Sequence, residues 1–169
     1  MIYIAHRGLV SGPDPDIENS PELIENTITS HEGVFIECDL WVKNDKWWLG
    51  HDAPQYQVSD KWFDTYHPWL FIHAKNQYCV QKLTLQKSSI CWFFHDKEAF
   101  TWTSKGHLWQ FPHNPASQVI INQPELAIKL QTKTEEQIKY DISMLNNKLP
   151  FRGVCSKYIN ILQNVYGDE

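Results

Sequence analysis

Val34-Phe35-Ile36-Glu37-Cys38-Asp39-Leu40-Trp41-Val42 is a run of β-branched, aromatic and apolar residues interrupted by two carboxylates. Side chains alternate along a strand, so Glu37 and Asp39 project to one side while Ile36, Cys38 and Leu40 project to the other. Upstream, Ile2-Tyr3-Ile4-Ala5 has the length and composition of a first strand. Between the two runs, Ser20 as N-cap, Pro21 in the first helical position and Gly33 as a stop delimit a helix. Strand, helix, strand implies a right-handed crossover and a parallel pair. Downstream, Asn44-Asp45-Lys46 reads as a tight turn that folds the chain back through Trp47–Leu49 as a hairpin, with His51 at its far end.

Further short runs, at 69–73, 90–95, 108–111, 119–121 and 153–155, also read as strands. A second hairpin is expected around Ser104-Lys105-Gly106. Thr134 to Asn147 reads as a helix, with Ile138, Ile142 and Leu145 on one face. No repeat, low-complexity segment or linker divides the chain. The expectation is one α/β domain over residues 1–169, its ligand crevice at the C-terminal ends of parallel strands.

The 169 residues, 42% hydrophobic and 14% aromatic, suffice for one real core. A net charge of -5, without clustered Lys or Arg, argues against a nucleic-acid partner. The five apolar residues before His6-Arg7 lack the form of a signal peptide, and no run reaches the roughly 18 apolar residues of a membrane span. A cytoplasmic protein is expected. Cys38, Cys79, Cys91 and Cys155 have neither knuckle nor disulfide-framework spacing and read as reduced.

Two carboxylates on one strand face repel unless a cation sits between them, and hard oxygen ligands suit Mg²⁺ or Ca²⁺. His6 ends the first strand; beside it Arg7 offers a planar fork of donors to phosphate oxygens, and Gly8 permits a close backbone turn. His51-Asp52 supplies an imidazole whose tautomer a carboxylate can fix, so two histidines can divide the proton work. Phe71, His73 and Lys75 share a side of the next main strand, bringing a third candidate ligand and a second cation into the same space. His95, on the side of Cys91 and Phe93, is as readily a core residue as a ligand.

In order and spacing, His6-Arg7, Glu37-x-Asp39 and His51-Asp52 resemble the signature of the glycerophosphodiester phosphodiesterase family, relatives of the phosphatidylinositol-cleaving phospholipases. The match covers about residues 5 to 76. The resemblance implies a (β/α) TIM-like barrel, here reduced or incomplete, of the phospholipase-C-like phosphodiesterase type. It implies one divalent cation on Glu37 and Asp39, His6 and His51 as the acid–base pair, and Arg7 and Lys75 on the substrate phosphate. The family's Glu-Asn-Thr element has two candidates, Glu18-Asn19-Ser20 and Glu25-Asn26-Thr27; Glu18 leaves room for the crossover helix.

This chain departs from the family in three places. His73 stands where the family has a third acidic ligand, which admits Mn²⁺ or Zn²⁺. The chain falls short of the roughly 200 residues at which such barrels begin. Lys157, in the strand resembling the closing one, replaces a usual Asp. The expected activity is metal-dependent cleavage of a small-molecule phosphodiester. Two alternatives stand beside it: a non-catalytic binding module for a phosphorylated sugar or glycerol compound, and an unrelated metallohydrolase with His6, His51, His73 and His95 as ligands.

Overall fold

The computed structural model describes residues 1–86, 89–110, 119–122, 136 and 152–166; the helix expected over Thr134–Asn147 lies, Glu136 apart, outside them. Strands β1 (Ile2–His6) and β2 (Val34–Lys43) flank helix α1 (Pro21–Ser30). The Ser20 hydroxyl caps α1 by accepting from the Leu23 N–H at 3.2 Å. The His31 N–H returns to the Thr27 carbonyl and closes the last turn. Asn44 and Asp45 both adopt left-handed φ, 52° and 59°. Such a two-residue turn matches the twist of a hairpin, so β2 folds back into β3 (Lys46–Leu49) as expected.

Next come β4 (Tyr56–Val58), α2 (Asp60–Tyr66), a 3-10 turn (His67–Trp69), β5 (Leu70–Ala74) and α3 (Gln77–Gln86). The chain continues through β6 (Cys91–Phe93), β7 (Phe100–Trp102), β8 (Leu108–Gln110), β9 (Val119–Asn122), β10 (Gly153–Ser156) and a final helix α4 (Ile159–Tyr166). Parallel ladders run β6-β5-β2-β1-β10-β9-β8, while β3, β4 and β7 join antiparallel.

Among the described residues no ladder joins β6 to β8, so the sheet is mixed α/β and is not a closed barrel. In place of a ladder, Ser104 in the β7–β8 turn bonds the β6 edge: its N–H donates to the Trp92 carbonyl at 2.7 Å, and its hydroxyl accepts from the Trp92 N–H at 3.0 Å.

Strand alternation sorts the core into two faces. Ala5, Ile36, Cys38, Leu40, Leu70, Ile72 and Ala74 pack beneath the helices with Ile24, Phe63 and Leu83. Trp47 stacks on Phe63 at 4.8 Å, and its indole N–H donates to Asp60 at 2.8 Å, so the hairpin is held to α2 by both packing and a polar anchor. The opposite face carries a smaller apolar cluster of Ile4, Phe71, Phe93, Trp109 and Cys155. All four cysteines are free thiols. Among the described residues no helix is long and apolar enough to cross a membrane.

Candidate functional site

One register step beyond that smaller cluster, toward the strands' C-terminal ends, the same face turns from apolar to ionisable. Ladder pairing sets His6 beside Glu37, and Asp39 beside His73. His6, Glu37 and Asp39 are buried, and one ligand atom from each of Glu37, Asp39 and His73 lies within 4.8 Å of the others. The even spacing 37, 39 and 71, 73, 75 placed these groups on one face, and the fold brings the two strands together.

Asp39 is surrounded by donors. Oδ1 lies 3.1 Å from His73 Nδ1 and 3.3 Å from Lys75 Nζ, and Oδ2 lies 3.3 Å from Arg7 Nε. The Asn19 amide closes a ring with it, Nδ2 donating to Oδ2 at 2.9 Å and Oδ1 accepting from the Asp39 N–H at 3.0 Å. Burial opposes ionisation here. The hydrogen bond from His73 and the charges of Lys75 and Arg7 outweigh it and hold Asp39 well below the usual carboxylate range.

Glu37 has poorer company. Its Oε2 accepts from the Arg7 N–H at 3.3 Å and lies 3.6 Å from His6 Nε2. Burial, and then the Asp39 charge, push its carboxyl up to about 8. Burial first, and then the Arg7 charge, lower His6 to about 3, so its imidazole is neutral at pH 7. Among the described residues, His6 Nδ1 is buried without a hydrogen-bond partner.

Arg7 and Glu18 form an ion pair, and Lys157 Nζ lies 2.7 Å from the other Glu18 oxygen. Burial raises Glu18, but these two cations pull it below its ordinary value. The alternative element lies elsewhere: Glu25 accepts from the Trp62 indole at 2.7 Å, while Thr27 donates to the Gly8 carbonyl at 2.8 Å and so secures the turn after β1. That turn is tight. Arg7 and Asn19 hold left-handed φ of 56° and 62°, joined by a bond from the Asn19 N–H to the Arg7 carbonyl. Left-handed backbone at non-glycine residues costs energy, and the bonds around this turn hold it there.

His51 reaches the rim through the hairpin, where the Gly50 N–H donates to the Asp39 carbonyl at 3.2 Å. A Cβ at Gly50 would stand 2.2 Å from the Ala53 carbonyl, so only glycine makes this turn. His51 Nδ1 lies 2.7 Å from Asp52, its ring is partly exposed, and its charge is felt at His6. His95 stacks on His73 at 4.6 Å with planes 3° apart. Lone pairs in parallel planes do not converge, so these two rings do not bind one ion together.

All of His6, Arg7, Glu18, Glu37, Asp39, His73 and Lys75 therefore meet in one network, with His51 and His95 at its border and Asp52 exposed beyond it. Sequence reasoning missed the anchoring part of Asn19 and the pairing of Lys157 with Glu18. Its position two residues past Cys155, on the small-cluster side of β10, was the available signal for Lys157. A groove of about 840 Å³, lined by Trp41, Asn76, Tyr78 and Lys82 among others, runs along the hairpin and α3 and includes none of the network residues. Comparison of the chain with family models, with curated proteins and with solved structures gives no match.

Proposed function

We propose that the protein is a metal-dependent phosphodiesterase acting on a small glycerophosphodiester-like substrate, built on an incomplete, open (β/α) TIM-like sheet. The observation that carries the reading is the convergence of Glu37, Asp39 and His73 on one point with Arg7 and Lys75 beside them. The donor set fits a divalent cation. Glu37 and Asp39 offer oxygens, His73 a nitrogen, and the raised carboxyl of Glu37 is what a buried acid lacking its counter-charge displays. Such an ion, when bound, polarises a phosphoryl oxygen as a Lewis acid.

The chain's own residues supply the rest. Glu18, Glu37 and Asp39 are balanced by Arg7, Lys75 and Lys157, so adding a divalent charge leaves the rim attractive to a phosphodiester anion. Arg7, fixed by Glu18 and Asp39, presents its fork to phosphate oxygens, and Lys75 adds a point charge. His6, neutral at pH 7, takes a proton from the attacking hydroxyl or water. His51, held by Asp52 through Nδ1, keeps Nε2 for the leaving alkoxide.

His6→Ala and His51→Ala are each expected to lower turnover about 10²–10⁴-fold, measured on a glycerophosphodiester with the metal restored after chelation. Full activity in both variants, or indifference to the chelator, overturns the reading. A second reading, a binding module for a phosphorylated sugar or glycerol, draws on Asp39 being satisfied by protein donors alone. Saturable binding without turnover under any divalent ion would favour it.

A further inference from the structure

We propose that Trp41 is a positioning residue: its indole N–H fixes the peptide unit that leads into His51 and so aims that imidazole at the leaving alkoxide. The inference rests on the phosphodiesterase reading and adds a residue to it. Trp41 follows Asp39 by two positions on β2, so the two side chains share a face. Its Nε1–H donates to the Gly50 carbonyl at 2.6 Å, across the β2–β3 hairpin. That carbonyl belongs to the planar peptide unit joining Gly50 to His51, so holding its oxygen also orients the His51 backbone.

Gly50 is where such a hold matters. Its φ of 141° is open to glycine, the residue whose backbone turns most freely. The bond from the Gly50 N–H to the Asp39 carbonyl fixes the end of β3 but leaves rotation about the glycine Cα–C bond open. The indole bond closes that rotation. Asp52 is a poor substitute for it: its side chain is 94% exposed, an exposed ion pair contributes little, and as the next residue it turns together with His51. On the far side of the loop the Gln55 N–H donates to the Leu49 carbonyl at 2.8 Å, so the segment carrying His51 is held at both ends and Trp41 sets its entry. An indole N–H donates and never accepts, which leaves it one way to bind a carbonyl.

The test compares the full chain with Trp41→Phe on two diesters, with the metal restored after chelation. A diester that releases an alkoxide needs a proton delivered to the leaving oxygen, whereas one that releases p-nitrophenolate does not. On the alkyl diester kcat should fall about 10- to 100-fold with KM little changed, while turnover of the aryl diester should hold. An equal fall on both overturns the inference, because that is the pattern of a merely structural residue. Added to His51→Ala, Trp41→Phe should cost nothing further on the alkyl diester, since the group it positions is gone. A further loss of the same size also overturns it.

Hydrogen exchange followed by NMR reads the bond without turnover. The Trp41 indole proton should exchange more slowly than those of exposed Trp69 and Trp102. Equal rates overturn the inference, even where Trp41→Phe fails to fold. No turnover of either diester under any divalent ion defeats the phosphodiesterase reading and this role with it, whereas turnover with equal losses on both diesters defeats this role alone.

Discussion

Glu37 and Asp39 sit two residues apart on one face of β2, yet their surroundings are opposite. Asp39 receives Arg7, Lys75, His73 and the Asn19 amide; Glu37 receives one long backbone hydrogen bond and a neutral imidazole. One carboxyl is driven below its ordinary range, and the other is pushed up to about 8. Asp39 is thus a structural hub that the protein satisfies by itself. Glu37 is an acid whose burial the charges of Arg7 and Lys75 do not offset among the described residues, and that asymmetry is the physical basis for placing a cation on its side.

The largest test is Asp39→Asn. Removing the anion takes the carboxylate from Lys75 and His73 and leaves Arg7 with Glu18 alone, and breaking a buried pair in this way costs about 3–5 kcal/mol. Urea unfolding at pH 7 should register a loss of that size. A loss below about 1 kcal/mol would show that Asp39 behaves like a surface ion pair and would erase the contrast.

Asn19→Gly comes next. Glycine keeps the left-handed φ of 62° open, so the change isolates the two side-chain bonds to Asp39. About 1–3 kcal/mol of stability should go. Asn19→Ala should lose about 1 kcal/mol more, through backbone strain. Equal losses would mean that the turn is not constrained there.

Much of this was legible in the sequence. The alternation of residues 34–42 fixed which carboxylates face inward, Ser20-Pro21 marked the helix start, and Asn44-Asp45 marked the hairpin. Each is a local signal with a period or a backbone conformation behind it. Other features had weak local signals or none. The three-residue strand β4 is too short to show alternation, and α2 has seven residues. The cap of α3 was readable in retrospect, since Asn76 accepts from the Cys79 N–H at 2.9 Å, but its helix lacks a strong apolar stripe. Lys157 and Glu18 are 139 positions apart, and no local pattern announces such a pair. The sheet stays open between β6 and β8, three residues each, where hydrogen bonds between Ser104 and Trp92 stand in place of a ladder.

The contrast also has a pH signature. With its carboxyl raised from 4.5 to about 8, folded Glu37 holds a proton that the unfolded chain has released, so its contribution to stability falls as pH rises through that window. His6, lowered from 6.5 to about 3, acts the other way between those values, because there the unfolded chain binds the extra proton. Above pH 6.5 the Glu37 effect is left unopposed by His6. The metal-free protein should lose at most about 1.4 kcal/mol per pH unit between 6.5 and 8, followed by urea unfolding. A saturating divalent ion should flatten that slope, because it replaces the proton on Glu37. An unaltered slope would put the ion elsewhere.

The smallest expected change in fold stability belongs to Glu37→Gln, and it is the sharpest of the set. At pH 7 a Glu37 carboxyl raised to about 8 is mostly protonated, and a glutamine matches that neutral acid in size and shape. Metal-free stability should therefore stay within about 0.5 kcal/mol of the unaltered protein, against the several expected for Asp39→Asn. Divalent-ion affinity by calorimetry should nevertheless fall about tenfold or more, the least that loss of a direct ligand entails when outer-shell changes already reach that size. A large loss of stability would make Glu37 a second structural hub. Unchanged affinity would remove it from the ligand set and leave Asp39 and His73 to hold the ion without it.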